Sequence, residues 1–157
     1  MAKLKIMPNY SSRVCVVGAG SSGLAAARNF REVGLEVDVL EACSDLGGNW
    51  NYELPVSRVY RSTHAISSRS GTEFPDYPMP EVFPDYPHHS QILQYLRDYA
   101  RHFGLIGCIE FDTEVNKIQP SRLRNPHGEF CWEIHLNNGE IRSYGAVAIA
   151  NGHNNHP

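Results

Sequence analysis

A glycine-rich turn between a strand and a helix is the feature that most constrains the fold of this chain. Residues 13–17, Arg-Val-Cys-Val-Val, predict a short strand buried on both faces, and the segment Gly-Ala-Gly-Ser-Ser-Gly follows it at once. Residues 21–33 predict a helix that ends at Gly34, and residues 35–40 predict a second strand. The apolar stripe of the helix consists of Leu24, Ala27, Phe30 and Val33. Strand, helix and strand in about thirty residues predict a βαβ unit with parallel strands.

The glycine spacing is typical of a turn that binds a dinucleotide. Gly18 allows a tight turn, Gly20 lets a pyrophosphate approach the backbone, and Gly23 lets the helix pack close to the strand. Free N–H groups at the start of the helix would hold the phosphates. Glu41, at the end of the second strand, is placed to accept hydrogen bonds from both ribose hydroxyls and to repel a 2′-phosphate. The residues predicted to contact the cofactor here are Gly18, Ala19, Gly20, Ser21, Ser22, Gly23 and Glu41.

Composition excludes several other classes of function. The net charge is -3, with 14 basic and 17 acidic residues and no basic cluster, so the sequence predicts neither a nucleic-acid nor a membrane partner. No apolar run approaches the roughly 18–20 residues that cross a bilayer, and the first residues do not form a secretory signal. The four cysteines are scattered, as free thiols in a reducing compartment are. We therefore expect a cytoplasmic protein.

The middle of the chain predicts a loop and then a helix. Phe-Pro-Asp-Tyr-Pro occurs at 74–78 and again at 83–87, which we interpret as a proline-stiffened loop whose aromatic rings pack on a neighbouring element. Ser90 is predicted to cap a helix that Gly104 ends. Its apolar stripe consists of Ile92, Leu96, Tyr99 and Phe103.

The last third of the chain predicts β-structure. The candidate strands are residues 109–111, 113–118 and 130–136, the last with Phe130, Trp132, Ile134 and Leu136 on one face. Asn138-Gly139 predicts a hairpin whose returning strand covers residues 141–144. Residues 145–150 predict a buried strand that rejoins the parallel sheet of the N-terminal unit.

Several segments resemble those of a known family. Gly47-Gly48-Asn49-Trp50, following Glu41, resembles a flavoprotein pattern whose glycine pair and tryptophan lie along the ribityl chain and pyrophosphate. The segment 60–80 resembles a signature that is matched here by Tyr60, Ser62, Phe74, Asp76, Tyr77 and Pro80. The chain is similar in these segments to the flavin-containing monooxygenases, which have the Baeyer–Villiger enzymes as relatives.

The resemblance implies FAD as the cofactor and adds further contacts. Val115 corresponds to a strand residue whose backbone contacts the adenine, and the turn 150–152 corresponds to one that packs against FAD. The contacts implied in this way are Gly48, Asn49, Trp50, Ile66, Ser67, Val115, Ala150, Asn151 and Gly152.

Ile66 departs from the pattern of the family. Many members have an asparagine there that helps to hold the flavin–oxygen adduct and the nicotinamide, and isoleucine cannot form that hydrogen bond. The polar candidates nearby are Thr63, His64, Ser67 and Ser68. No catalytic residue is assigned, and no nucleophile–base pair indicates a hydrolase.

The resemblance also implies the fold and the extent of the domain. We expect an α/β, Rossmann-like FAD-binding domain that has a parallel sheet plus a small β-meander or hairpin. We expect this domain to be truncated, so that residues 1–157 form only part of it. We expect the NADPH-binding domain and the C-terminal part of the family to be absent from these 157 residues. NADPH and a small-molecule substrate, a nitrogen or sulfur nucleophile or a ketone, would belong to the parent protein. We expect the isolated chain to be inactive and to self-associate through exposed sheet surface.

Two other functions fit the motifs. The chain could belong to another flavoprotein with two dinucleotide sites, such as a reductase, although it lacks the Cys-x-x-x-x-Cys pair of disulfide reductases. It could instead be a non-catalytic nucleotide-binding module. We predict no metal site, since His153 and His156 form an isolated pair, and we interpret His88-His89 as a solvated pair near a helix start.

Overall fold

The computed structural model describes residues 9–124, 128 and 130–153. The strands are β1 (Asn9–Val17), β2 (Val37–Leu40), β3 (Ile109–Glu110), β4 (Val115–Arg124), β5 (Phe130–Leu136) and β6 (Ile141–Ile149). The helices are α1 (Ser21–Glu32), the short α2 (Arg69–Thr72) and α3 (His89–His102), with 3₁₀ turns at Gly48–Trp50 and Ile106–Cys108. None of the described helices has the length and apolar character that a bilayer crossing requires.

The described strands form one six-stranded sheet in the order β3-β2-β1-β6-β5-β4. The first four strands of this order run parallel, and β5 runs antiparallel to its two neighbours, β6 and β4. The predicted α/β fold, a parallel sheet that carries a small antiparallel meander, is therefore confirmed. The Asn138-Gly139 hairpin is also confirmed, with Gly139 in the left-handed region.

β6 is one continuous strand where the sequence predicted two. It pairs antiparallel with β5 from Ile141 to Tyr144, and parallel with β1 at Ser143 and Tyr144 and, after a register shift, from Ala146 to Ile149. A strand carries hydrogen-bonding groups along both edges, so no break between the two pairings is needed. The prediction of a buried strand over residues 145–150 is wrong: none of these residues is fully buried, and Ala146 and Ile149 are exposed, Ile149 at 67%.

The first βαβ unit differs from its prediction at two boundaries. β1 begins at Asn9, because its first residues pair with β6. β2 begins at Val37, because Gly34 ends α1 with φ +84° and the N–H of Leu35 bonds to the Phe30 carbonyl in that cap. Val33 therefore lies beyond the helix and is 72% exposed instead of completing the apolar stripe.

The larger core lies between one face of the parallel strands and the two long helices. Leu24 and Ala27 of α1 pack there with Val14 and Val16 of β1. The predicted stripe of α3 is confirmed, with Ile92, Leu96 and Tyr99 buried and Phe103 partly buried. Because the two helices occupy the same face of the sheet, their N-terminal ends and the connecting loops position the edge described below.

His88, and not Ser90, caps α3. The His88 side chain accepts a hydrogen bond from the N–H of Ser90, and the Gln91 side chain accepts one from the N–H of His88. The interpretation of His88-His89 as a solvated pair is wrong as well, because His89 is buried. At the other end Gly104 adopts φ +62° and ends the helix as predicted.

The first Phe-Pro-Asp-Tyr-Pro segment packs on α3, as its aromatic rings predicted. The ring of Phe74 lies 4.4 Å from that of Tyr99, measured between centroids. The hydroxyl of Tyr95 donates to the Tyr77 carbonyl at 2.6 Å and accepts from the N–H of Phe74 at 2.6 Å. In the second copy Phe83 packs, partly buried, against the larger core, whereas Tyr86 is exposed.

A second core lies on the opposite face of the sheet, under the antiparallel strands. It consists of Cys15, Leu40, Ile134, Leu136 and Tyr144. The predicted apolar face of β5 is buried only in its second half, and Phe130 is 63% exposed. The pairing with β4 shifts register between Pro120 and Arg124, opposite the start of β5, and the Arg124 guanidinium lies 3.6 Å from the Phe130 ring centroid.

Replacing Arg142 by methionine should loosen the contact between the meander and the parallel sheet. Arg142 is buried, binds both carboxylate oxygens of Glu110 at 2.6 and 2.8 Å, and reaches Glu140 at 2.6 Å. Breaking a buried pair costs about 3–5 kcal/mol, and the half-exposed Glu110 reduces this to roughly 2–3 kcal/mol. Urea denaturation of Arg142→Met at neutral pH measures the loss. Arg101→Met, which removes an exposed pair with Asp98, is the control and should cost less than about 0.5 kcal/mol.

The same pair gives the stability a defined pH dependence. The hydrogen bonds from Arg142 hold the pKa of Glu110 and of Glu140 below the usual value of 4.5. A carboxyl group whose pKa is lowered by folding stabilises the fold above its unfolded pKa, and the contribution disappears as the pH falls through the folded value. The stability difference between wild type and Arg142→Met should therefore shrink at about pH 3. An equal difference at both pH values would contradict this role of the ion pair.

Candidate cofactor-binding site

Three parallel strands end side by side at one edge of the sheet. Val17 of β1 pairs with Leu40 of β2 on one side and with Ile149 of β6 on the other. The residues that follow them, Gly18, Glu41 and Ala150, therefore begin at the same level. The next strand along the chain, β2, lies on one side of β1, and β6 lies on the other side. Open α/β sheets bind ligands in the crevice at the carboxyl ends of their strands where the strand order reverses in this way.

The turn after β1 requires glycine at its first and last positions. Gly18 adopts φ +100°, and a Cβ atom added to it would lie 2.6 Å from the carbonyl oxygen of Ala150. A Cβ atom on Gly23 would lie 1.8 Å from the carbonyl oxygen of Gly18. These distances agree with the roles predicted for both residues, the tight turn and the close approach of helix to strand.

Gly20 has different surroundings, because an added Cβ atom would meet no clash there. It is the N-cap residue of α1 with φ -76°, and an added Cβ atom would meet nothing nearer than Gly48 Cα at 3.8 Å. No side chain caps the first turn of α1, and that turn contains no acidic residue. The first N–H groups of the helix, at Ser21 and Ser22, are therefore available to an anionic group that approaches past Gly20.

A second glycine turn packs against the first. The N–H of Gly47 bonds to the Ala19 carbonyl at 3.0 Å, and an added Cβ atom on Gly48 would lie 3.3 Å from Gly20 Cα. Two backbone segments without side chains thus lie in contact with each other beside the uncapped start of α1. We call this surface of bare backbone and helix N–H groups the cradle, because a pyrophosphate could approach the backbone closely along it.

The carboxylate of Glu41 forms hydrogen bonds that the sequence did not predict. One oxygen accepts from the N–H of Ala19 at 2.6 Å, and the other accepts from the N–H of Cys43 at 2.9 Å. The side chain is only 6% exposed. Glu41 therefore ties the glycine turn to the end of β2 in the protein itself. A carboxylate has about four acceptor positions, so both oxygens retain capacity for ribose hydroxyls.

The thiol beside this carboxylate stays neutral. Burial, and then the charge of Glu41, raise the pKa of Cys43 to about 11. The thiol is therefore neutral at physiological pH. It neither reacts as a thiolate nor places a second negative charge next to Glu41.

The loop that carries the second glycine turn is anchored to α3. Arg97 donates to the Asp45 carboxylate at 2.6 Å, and the same carboxylate accepts from the side-chain amide of the buried Asn51 at 3.0 Å. The Asn51 amide also donates to the Leu46 carbonyl at 3.0 Å. These positioning residues escaped the sequence analysis because Arg97 lies far along the chain from its partner and no motif connects them.

Asn49 and Trp50 follow the second glycine turn directly. The side-chain oxygen of Asn49 accepts from the N–H of Arg58, and its carbonyl accepts from the Ser57 hydroxyl, each at 2.8 Å. Trp50 packs, partly buried, against the larger core. In this structure both residues shape the loop beside the cradle, and their contact with a cofactor remains a prediction.

Val115 and the turn after β6 also belong to this edge. The N–H of Thr113, two residues before Val115, bonds to the Glu41 carbonyl at 2.9 Å, so that β4 starts beside the end of β2. The N–H of Ala150 bonds to the Val17 carbonyl at 2.9 Å. Asn151 is half-buried and Gly152 is exposed with φ +83°.

Ile66 and Ser67 lie in a different set of contacts. Their segment is bonded to residues 85–89, through Ala65 to Pro87 at 2.8 Å and Arg69 to Asp85 at 2.6 Å. Ile66 is 97% exposed. The structure therefore assembles the glycine turns, Glu41 and the turn after β6, whereas contact of Ile66 and Ser67 with a cofactor stays a prediction.

Within the described ranges no group of three or more histidine, cysteine or acidic side chains is arranged to bind a metal ion. His156, one half of the His153–His156 pair, lies outside the described residues.

A shallow recess lies at the opposite end of the parallel strands. Its lining includes Arg13, Arg31 and Cys108, and it is remote from the cradle.

Comparison with known proteins identifies the family. A family described as "Flavin-binding monooxygenase-like" matches residues 11–157. Flavin-containing monooxygenase 5 of Rattus norvegicus is 32% identical over 152 residues, which cover 92% of this chain and 28% of that protein.

Solved structures agree with this match. The S-allyl-L-cysteine S-oxygenase of Allium sativum has a TM-score of 0.75 and 26% identity, covering 90% of this chain and 36% of that one. A steroid monooxygenase bound to NADP has a TM-score of 0.71 and 28% identity, covering 90% of this chain and 26% of that one. The chain thus spans about a quarter to a third of the length of these relatives.

The family match extends over the glycine turn, Glu41, the second glycine turn and the turn after β6, which are the segments that meet at the carboxyl edge of the sheet. The resemblance noted in the sequence is confirmed, and this chain belongs to the flavin-binding monooxygenase family.

Proposed function

We propose that this chain is the FAD-binding part of an NADPH-dependent monooxygenase. The observation that carries the proposal is the cradle at the carboxyl edge, where Gly20 and Gly48 face each other beside the uncapped start of α1. Bare backbone beside free helix N–H groups suits a pyrophosphate, and membership in a flavin-binding family makes a flavin dinucleotide the matching ligand.

Different residues at the carboxyl edge of the sheet would bind different parts of FAD. The N–H groups of Ser21 and Ser22 would donate to the pyrophosphate beside Gly20, and the Glu41 carboxylate would accept from the ribose hydroxyls. Ala150 and Gly152 would lie along the flavin side of the site. When bound, the flavin supplies the redox chemistry that activates oxygen, and the protein orients it and excludes water.

The substrate class follows from the relatives by analogy. One of them is an S-oxygenase of S-allyl-L-cysteine and another is a steroid monooxygenase. We propose that the whole protein oxygenates a small molecule, either a nitrogen or sulfur nucleophile or a ketone. The four cysteines are free, which supports a reducing compartment, and we propose the cytoplasm.

Calorimetric titration of the purified chain with FAD and ADP tests the binding part of the proposal. Both should bind, because they share the ribose and pyrophosphate that the cradle recognises. ADP carrying a 2′-phosphate should bind at least about tenfold more weakly, since its charge would lie beside the buried carboxylate of Glu41. A folded chain that binds neither FAD nor ADP, or that prefers the 2′-phosphate, would overturn the proposal.

A further inference from the structure

The second glycine turn cannot fix its own conformation. Gly47 and Gly48 both adopt positive φ, +109° and +53°. Glycine reaches such conformations without a steric penalty, but it reaches many others as well, so ordering two glycines in sequence costs more conformational entropy than ordering two larger residues. The contact between Gly48 and Gly20 therefore depends on groups outside the turn.

The side-chain amide of Asn51 closes the loop that contains this turn. Its Nδ2 donates to the Asp45 carboxylate and to the Leu46 carbonyl oxygen, each at 3.0 Å, and thereby joins the end of the loop to its start. The backbone N–H of Asn51 bonds in addition to the Gly48 carbonyl at 3.1 Å. Asn51 is only 2% exposed, so water does not compete for these bonds.

The surroundings of Asn51 require an amide that donates. Both partners of Nδ2 are acceptors, whereas Oδ1 is buried and has no hydrogen-bond donor among the described residues. A buried acceptor without a donor is unfavourable, but the reverse orientation of the amide would place that oxygen against two other acceptors. The residue therefore serves the loop through its two donated bonds and not by filling space.

Helix α3 holds the same loop from outside. Arg97 donates at 2.6 Å to the oxygen of Asp45 that also accepts from Asn51. One helical turn earlier, Cδ1 of Leu93 lies 2.5 Å from the position that a Cβ atom on Gly47 would take. The helix thus contacts the turn directly through Leu93 and holds it indirectly through the Asp45 carboxylate.

We propose that Asn51 and Arg97 are positioning residues for the pyrophosphate and act together through the Asp45 carboxylate. They keep Gly47 and Gly48 in the conformation that packs against the first glycine turn. Neither side chain has to touch the ligand, because a turn that is already ordered loses little further conformational entropy when the ligand binds. The inference rests on the proposed function, since it places the pyrophosphate at the cradle.

Amide hydrogen exchange of the chain without a nucleotide tests the positioning. The Gly47 N–H bonds to the Ala19 carbonyl at 3.0 Å, so its protection reports whether the two turns stay together. This protection should fall at least about fivefold in Asn51→Ala, as the loss of one typical hydrogen bond would produce. The Gly18 N–H, which bonds to the Leu40 carbonyl at 2.8 Å, should keep its protection. Equal protection of Gly47 in wild type and variant would overturn the proposal.

Titrations with ADP and with adenosine separate positioning from general damage to the site. ADP affinity should fall roughly three- to tenfold in Asn51→Ala and in Arg97→Met, because the pyrophosphate then has to order the turn. Adenosine has no phosphate, so its affinity should change less than about twofold. Arg97→Lys keeps a donor for Asp45 and should recover part of the loss. Wild-type ADP affinity in both variants, or a parallel loss for adenosine, would refute the role.

A double variant and two controls test the shared carboxylate. Asn51→Ala and Arg97→Met combined should weaken ADP binding less than the product of the single effects, because both act on one group. Gln94→Ala removes an exposed amide that donates to Asp98 at 2.9 Å, and Arg101→Met removes an exposed ion pair with the same residue. Neither control should alter ADP affinity. Multiplicative losses in the double variant would contradict a common action through Asp45.

The two levels of the argument fail in different ways. A folded wild-type chain that binds no ADP would overturn the proposed function and, with it, the role of Asn51 in ligand binding. A wild-type chain that binds ADP, together with unchanged Gly47 exchange in Asn51→Ala, would overturn the positioning alone. Arg97 is partly exposed, so Arg97→Met provides the same exchange measurement if Asn51→Ala does not fold.

Discussion

Valine in place of Gly23 should unfold the chain, whereas valine in place of Gly20 should leave it folded and abolish binding of FAD and ADP. A Cβ atom on Gly23 would lie 1.8 Å from the Gly18 carbonyl oxygen, and backbone on both sides prevents relief. The helix propensity gained on losing a glycine is at most about 1 kcal/mol. Overpacking typically costs about 1–3 kcal/mol, and a clash between backbone segments exceeds that range against a total stability of about 5–15 kcal/mol.

Gly20 differs because its backbone has φ -76° and its side is open as far as Gly48. Valine is accommodated there, but it fills the space that the pyrophosphate needs, and we expect affinity to fall more than about a hundredfold. Thermal melts by circular dichroism report folding, and calorimetry with ADP reports binding. If Gly20→Val bound ADP like the wild type, the pyrophosphate would not bind at the cradle beside Gly20. A Gly23→Val chain with the wild-type melting temperature would contradict the close packing of α1 on β1.

Alanine in place of Glu41 should lower stability even without a cofactor. The change removes the acceptor of the Ala19 and Cys43 N–H groups and leaves both donors in a buried site. Hydrogen bonds to a charged group contribute about 1.5–3 kcal/mol each, so the free energy of unfolding should fall by roughly 3–5 kcal/mol. FAD affinity should fall in addition by about ten- to a hundredfold, from the lost ribose contacts and the looser turn.

Two comparisons isolate the contribution of the Glu41 side chain. Glu114→Ala, which removes an exposed carboxylate near the same edge, should change neither stability nor affinity beyond about 0.5 kcal/mol. Glu41→Gln retains one acceptor oxygen and should lie between wild type and alanine. If Glu41→Ala weakened FAD binding but left urea denaturation unchanged, the carboxylate would contact the ribose without holding the turn.

The local parts of the site could be predicted from the sequence. Gly18 and Gly34 were assigned to turns, and both adopt positive φ, because the conformations accessible to a residue depend mainly on its own side chain. The requirement for Gly23 could be anticipated too, since a helix that follows a strand through a short turn must pass close to it. The aromatic packing of the segment 74–78 on α3 was expected, although its partner was not identified.

The errors concern properties that depend on distant residues. Ser90 was chosen as the cap by residue preference, but the ring of His88 also reaches the Arg61 carbonyl and takes the position. Val33 fits the helical period but lies beyond the turn that ends α1. Phe130 alternates correctly, yet the register shift in β4 leaves its side of the strand uncovered.

The sequence by itself determined where the backbone turns, which strands precede those turns and which acid ends the second strand, because these depend on neighbours within a few residues. Only the tertiary structure decided that β6 serves both halves of the sheet, that Arg97 anchors the second glycine turn, and that Glu41 binds the Ala19 N–H. Those outcomes are set by which hydrogen-bonding groups and apolar surfaces meet once segments far apart in the chain have packed together.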